Sequence, residues 1–466
     1  MKRDYTLLLA DMAAAYRQHA PRSAALQQRA AAVAVDGGHH SLRLLEPFPP
    51  RIAAACGAWL RDEDGHRILD FWQGHFANIL GHNPAILTRT LSEALAGGWG
   101  LQTGMTDTVQ IEAAELLCRQ TGAERVRFTT SGSLATMYAV LLARAYTGRN
   151  LVLKVGGGWH GAQPWGLKGV GFHQGFQQAD SAGLPAVLTA EVLVTRFNDT
   201  AALADTFRRE GDRIACFIVE PFIGAGGFIP ARPEYLREAR RLTAHHGAVL
   251  IFDEVISGFR FRAGDAGSLY GVQPDLATFG KVMGGGMPVS AVAGRAELLE
   301  LTAQHGGRVK FSGGTYSAHP LAMLAARTMM AYLAEHEAAI YPRLAELGEK
   351  TRHTLEEAFA AEGIYARCTG YGNEALPGSS LATLRFPYDP GRPLDSPDDV
   401  RDPAVCDDFL NEHVLRLALL LEDVHTVHGL GALSTEHTEE DILFLGEAAR
   451  RAARRIRRAL ERKEAL

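Results

Sequence analysis

The chain has 466 residues, 47% of them hydrophobic and 22% charged, with a net charge of −5. That is enough apolar material for a large core and two packed domains, and it is the balance of an ordinary globular protein. The small negative charge offers no basic surface for nucleic acid or anionic membrane, and the five cysteines contain no C-x-x-C pair, so reduced thiols in a cytoplasmic protein are expected rather than a disulfide framework.

Residues 1–35 are alanine-rich with apolar residues at helical spacing, which predicts helices lying over the rest. Asp4 and Asp11 interrupt this segment, and no apolar run reaches signal or membrane-spanning length. Gly37 to Arg43 reads as a loop. Asp64-Gly65, flanked by Trp59-Leu60 and by Arg67 to Phe71, predicts a hairpin.

Arg125 to Phe128 is a short strand that runs into Thr129-Thr130-Ser131-Gly132-Ser133. A helix is predicted next, since Leu134, Met137, Tyr138, Leu141, Leu142 and Ala145 recur at three- and four-residue spacing before Gly148. Strand, hydroxylated loop and helix start together suit an anion, whose charge faces free N–H groups; the same residues also suit a plain serine N-cap. Leu151 to Val155 is the next strand. Gly156-Gly157-Gly158-Trp159-His160-Gly161 after it satisfies G-x-G-x-x-G, but Pro164 and Gly166 stand where a dinucleotide fold needs its helix.

Cys216 to Val219 is another buried strand, ending in the carboxylate of Glu220. Val249-Leu250-Ile251-Phe252 repeats the pattern and ends in Asp253 and Glu254. Such a run reads as a central strand of a parallel sheet, and ligands sit at the carboxyl end of such sheets. A carboxylate buried there calls for a cationic partner. Lys281 follows, between Gly280 and Gly284-Gly285-Gly286. An aspartate plus a distant lysine is the pair that pyridoxal phosphate needs: the amine forms a Schiff base with the aldehyde, and the carboxylate keeps the pyridine nitrogen protonated. A capping aspartate and a solvated lysine are the alternatives at this point.

Residues 386–403 hold five prolines (Pro387, Pro390, Pro393, Pro397 and Pro403) and predict a long exposed excursion. His437 to Ile442 starts a final helix, whose arginines from Arg450 to Arg458 read as a solvated face. The 18 histidines show no H-E-x-x-H or other ligand spacing, so no metal site is expected.

The strings Asp253-Glu254-Val255-Ile256-Ser257-Gly258-Phe259-Arg260, Pro274-Asp275-Leu276, Gly280-Lys281 and Gly284-Gly285-Gly286-Met287-Pro288 resemble the class III aminotransferases of fold type I. Within them the chain looks most like the branch that contains glutamate-1-semialdehyde aminomutase, from about Asp64 to Ile442. The resemblance implies an α/β fold: a large domain with a mostly parallel sheet between helices, and a smaller α+β domain from both chain ends. The segments implied are 1–84, 85–335 and 336–466. It implies pyridoxal phosphate on Lys281, with Asp253 at the ring nitrogen. Ser131, Gly132 and Ser133 fall at the phosphate, Trp159 on the ring face with His160 beside it, and Glu220 and Val255 around the cofactor. Thr315 would reach the phosphate of a second subunit, which makes a homodimer. Arg43 and His75 fall at substrate positions, although a solvated role suits Arg43 equally.

Three departures bear on the reaction. Leu134 replaces a glutamate of the phosphate loop, Phe222 to Ala225 lacks the amide side chain that meets the cofactor's phenolic oxygen, and Gly429, with His428 beside it, stands where aminomutases carry a glutamate. Transamination from an amino-acid donor to an aldehyde or keto acceptor is therefore expected, in specialised biosynthesis. The alternatives are a 2,1-aminomutase, a dehydratase or an epimerase. The retention of Asp253, Lys281 and Thr315 argues against a silent structural relative.

Overall fold

The computed structural model describes residues 3–464; Met1, Lys2, Ala465 and Leu466, which the segments at the two chain ends include, lie outside it. Two helices open the chain, α1 (Thr6–His19) and α2 (Pro21–Ala31), followed by a meander of β1 (Ile52–Cys56), β2 (Trp59–Asp62) and β3 (Arg67–Asp70).

A seven-stranded sheet forms the centre of the molecule. Its strands are β4 (Arg125–Thr129), β5 (Leu151–Val155), β6 (Val192–Thr195), β7 (Ile214–Val219), β8 (Val249–Glu254), β9 (Leu276–Phe279) and β10 (Ser290–Gly294). The spatial order is β4-β10-β9-β8-β7-β5-β6, and only β10 runs against the others. Every residue of β5, β7 and β8 is buried, as largely apolar runs between parallel neighbours require, Lys154, Asp253 and Glu254 included. Helices cover both faces. Among them are α3 (Gly132–Thr147), α4 (Pro320–Glu335) and α5 (Glu337–Ala360). The Ser131 hydroxyl accepts from Leu134 N at 3.3 Å to start α3, and Gly148, at φ 69°, ends it.

A second, smaller core draws on both chain ends: Leu8, Met12 and Tyr16 of α1 pack with Leu355, Leu384, Leu417 and Ile456. Its strands are β11 (Arg367–Thr369), β12 (Leu381–Arg385), β13 (Val424–His425) and β14 (Leu430–Ala432), with β13 paired in parallel to β3. The closing helix, α6 (Glu439–Glu464), begins with a capping box in which Asp441 N donates to the Thr438 hydroxyl and Thr438 N to the Asp441 carboxylate. Its arginines are not simply solvated: Arg451 and Arg455 pair with Glu422, and Arg454 and Arg457 with Glu362.

The proline-rich segment also differs from expectation. Only residues 388–393 and Pro403 of it stand exposed. Ser396, Pro397, Asp399 and Val400 are buried, and Pro397 packs so closely on Gly157 that a Cβ there would lie 2.7 Å from it. Apolar Pro397 and Val400 have a glycine-lined face to cover, and burying them outweighs the exposure that proline content suggests.

Candidate active site

Five strands of the central sheet deliver the candidate residues to one edge. β4 leads to Ser131–Ser133, β5 to Trp159 and His160, β7 to Glu220, β8 to Asp253 and β9 to Lys281. All five are parallel, so these residues cluster at their carboxyl ends.

Asp253 is 4% exposed, and its carboxylate accepts three hydrogen bonds. The Thr278 hydroxyl donates at 2.9 Å and Val255 N at 3.1 Å to Oδ1, and His160 Nδ1 stands 2.8 Å from Oδ2. The cationic partner expected from the sequence is thus largely replaced by hydrogen bonds. Burial pushes the His160 imidazole below its ordinary pKa, with Asp253 opposing, so the ring is a neutral donor to the carboxylate at neutral pH. Thr278 was not foreseen. The β8–β9 register, which sets Asp253 opposite Thr278, is the signal that finds it.

Glu220 holds the glycine-rich loop. Its two carboxyl oxygens accept from Trp159 N at 3.2 Å and Gly224 N at 2.9 Å. Burial, and next the Asp253 charge, push it up to about 8. Lys154 anchors the same loop from within β5, donating to the carbonyls of Gly158, Gly166 and Lys168 at 2.8–3.1 Å. The Trp159 indole is 39% exposed, so one face is open to a flat ligand.

At the start of α3, Gly132 lies against Val255, where a Cβ would sit 3.0 Å from its side chain. Gly161, at φ 95°, presses on Ser133: a Cβ there would be 2.4 Å from the hydroxyl oxygen. The N–H groups of Gly132 and Ser133 have no acceptor among the described residues, while Leu134 N and Ala135 N are capped by Ser131. Two free donors at the positive end of a 16-residue helix form a cradle for an anion.

Lys281 adopts φ 47°, and its Nζ has no hydrogen-bond partner among the described residues. Burial lowers its pKa to about 8, against the upward pull of Asp253 and Glu220. The Phe76 ring centroid is 6.0 Å from Nζ. Phe76 ends a turn in which Gln73, Gly74, His75 and Phe76 all have positive φ, from 45° to 69°. A left-handed residue other than glycine costs about 1–2 kcal/mol, so Gln73, His75 and Phe76 persist only because surrounding bonds hold them. Asp70 supplies two such bonds, accepting from Trp72 N and Gln73 N. His82 at 2.7 Å and His425 at 2.8 Å fix its carboxylate in turn.

His75 and Arg43, 32 residues apart, meet: Arg43 Nε donates to His75 Nε2 at 3.2 Å. Burial, then the charges of His40, Arg43, Lys281 and His428, hold the His75 ring down to about 3. The two candidate substrate residues therefore share one cationic vestibule with Lys281. Thr315 does not join them. It stands exposed before α4, with no hydrogen bond to the cluster among the described residues. Away from the site, His19, His66 and Asp423 bring ligand-type atoms within 4.8 Å of one another, from segments whose spacing gave no hint of it.

Free amine, buried acceptor, open aromatic face and anion cradle together fit the aldehyde, ring nitrogen, ring and phosphate of pyridoxal phosphate. The sequence profile described as "Aminotransferase class-III" matches residues 45–373. Glutamate-1-semialdehyde 2,1-aminomutase 2 of Lachnoclostridium phytofermentans is 37% identical over 331 residues, spanning 70% of this chain and 76% of its own length. The structure of a transaminase with PLP bound superposes with a TM-score of 0.82 at 29% identity, covering 93% of this chain and 97% of its own. A β-phenylalanine aminotransferase from Variovorax paradoxus gives a TM-score of 0.83 at 30% identity, covering 96% and 97%. The fold is that of the fold type I transaminases, the cofactor is pyridoxal phosphate, and the chain belongs to the class III aminotransferase family.

Proposed function

We propose that the protein is an aminotransferase that carries an amino group from an amino-acid donor to an aldehyde or keto acceptor. The observation that carries this reading is Lys281 Nζ, unpartnered among the described residues and brought to the carboxyl edge of the sheet by the strand paired with that of Asp253. Bound there, pyridoxal phosphate supplies an electrophilic aldehyde and a ring that draws negative charge from the substrate carbon. Lys281 Nζ would hold the aldehyde until the substrate amine displaces it, and the freed amine would then move a proton between the substrate carbon and the cofactor carbon. Its lowered pKa leaves a sizeable unprotonated fraction near neutrality, which that transfer needs.

Asp253, oriented by Thr278, Val255 and His160, would hold the ring nitrogen and keep it protonated. Trp159 covers one ring face and Glu220 holds its backbone in place. The α3 start, with Ser131, Gly132 and Ser133, takes the phosphate. Thr315, exposed on a single chain, completes the phosphate site of a second copy, so the working unit is a homodimer. Arg43 and His75 receive the substrate carboxylate beside Lys281, where the Arg43 guanidinium otherwise donates to the neutral His75 ring.

The names of the sequence relatives favour a second reading, a 2,1-aminomutase. Against it stands Gly429 at φ 96°, where a Cβ would lie 2.5 Å from both Asn411 Oδ1 and Thr383 Oγ1. The backbone there has no room for the glutamate that the aminomutases of this branch carry. The test is to give the purified holoenzyme a panel of amino donors and measure oxo-acid release. One equivalent released per site establishes transamination and names the donor. Isomerisation of glutamate-1-semialdehyde with no oxo acid released from any donor would establish the mutase instead.

A further inference from the structure

Arg260 is 2% exposed and has no carboxylate within ion-pair distance among the described residues. Its guanidinium instead spends its donors on its own turn and on two segments that are remote in sequence. Nε donates to Ile256 O at 3.1 Å in its own turn, and Nη1 to the Ser380 hydroxyl at 3.2 Å at the start of β12. Nη2 donates to the carbonyl of Phe76, the last residue of the left-handed turn. A buried guanidinium without a counter-ion costs more than most folds tolerate, and burial brings its pKa down to about 10. A group kept at that cost, with its fork divided among the turn, the smaller core and the loop after Asp253, has the geometry of a tie.

We propose that Arg260 is a positioning residue that fixes the pocket wall of His75 and Phe76 beside Lys281. The wall follows from the Phe76 bond. Releasing that carbonyl removes the only side-chain donor that reaches the end of the turn among the described residues. The Lys281 amine reports the same tie. Arg260 acts on Lys281 in the same direction as burial, and His75 shares the vestibule, while Asp253 and Glu220 act the other way. The inference rests on the reading of Lys281 as the cofactor-bearing amine.

Its test uses the full-length apoenzyme and the variants Arg260→Met and Arg260→Lys. Hydrogen exchange of residues 72–82 reports the turn, and competitive acetylation of Lys281 across pH, read by peptide mass spectrometry, reports the amine. Arg260→Met is expected to speed exchange of the turn about tenfold or more and to raise the acetylation midpoint by about half a unit to one unit. Arg260→Lys, which keeps the charge without the fork, is expected to speed exchange while leaving the midpoint near that of the parent. Parental exchange in both variants, or a parental midpoint in Arg260→Met, overturns the proposal. If Arg260→Met does not fold, exchange in Arg260→Lys and in Ser380→Ala decides the wall and the midpoint in Ser380→Ala stays parental. A Lys281→Ala control separates the two readings: if it binds pyridoxal phosphate covalently as the parent does, the assignment of Lys281 fails, and not the role of Arg260.

Discussion

Replacing Gly161 by alanine isolates how tightly the glycine-rich loop is fitted to the phosphate cradle. Gly161 and Gly65 share a φ of 95°, but a Cβ on Gly65 meets nothing within 4 Å, whereas one on Gly161 lies 2.4 Å from Ser133 Oγ and 2.7 Å from Ser133 Cα. The left-handed backbone alone costs a residue with a Cβ about 1–2 kcal/mol, and Gly65→Ala is expected to lose that much. Carbon atoms prefer about 3.5–4.0 Å, so Gly161→Ala also forces the loop and the α3 start apart by about 1 Å, at a further cost of about 1–3 kcal/mol. Urea unfolding of the two apoenzyme variants measures the difference as a lower midpoint at unchanged slope. Because the cradle moves with Ser133, pyridoxal phosphate affinity should fall about tenfold or more in Gly161→Ala and stay unchanged in Gly65→Ala. Equal stability and equal affinity in the two variants would refute the reasoning, since the shared φ would then account for everything.

Other expectations follow from the same site. Glu220 is raised from 4.5 to about 8, so the folded apoenzyme holds a proton that the unfolded chain gives up above pH 4.5; the stability it contributes falls as pH rises from there to about 8. Glu220→Gln should flatten the dependence of the thermal midpoint on pH in that window, and an unchanged slope would count against the raised carboxyl. Arg43→Ala should raise KM for a carboxylated substrate about tenfold to a hundredfold, the worth of a charge-assisted hydrogen bond, with little change in kcat; steady-state kinetics on the donor found above decides it. Lys281→Ala and Thr315→Ala should each lower activity severely, yet their mixture should regain part of it after subunit exchange, because a hybrid dimer holds one intact site. No recovery, in hybrids shown to have formed, would remove Thr315 from the shared site.

Much of this was legible in the sequence because parallel strands write themselves plainly. The runs ending in Glu220 and Asp253 are apolar on both faces and terminate in charge, which marks strand and ligand edge together. The Ser131 loop and Gly148 bracket α3 by local backbone chemistry alone. What stayed hidden depends on contacts between distant segments. Thr278 becomes a ligand of Asp253 only through strand register, and Arg260 becomes a tie only when residues 120 and 184 positions away arrive beside it. The left-handed turn at residues 73–76 carries one glycine among four positive-φ residues, so composition gives almost no warning of it. The segment at 386–403 misled for the opposite reason: proline and aspartate content predicts exposure, but the glycines at 157 and 226 leave room for Pro397 to pack.

The parallel pairing of β3 with β13 has a consequence for how the protein is made. Asp70, which holds the strained turn, is bonded to His425, 355 residues later, and Phe71 O accepts from Ala432 N. The chain must therefore leave the ribosome as far as Ala432 before the wall beside Lys281 can take shape. Until then a growing chain can assemble most of its central sheet, from β4 to β10, while the turn meant to guard the lysine has no stable place to dock. A ribosome-bound chain halted before Val424 should leave residues 70–82 open to protease, and one extended past the C-terminus by a linker should protect them. Maturation of the site is timed by the last strands to emerge, so cofactor loading belongs after synthesis rather than during it.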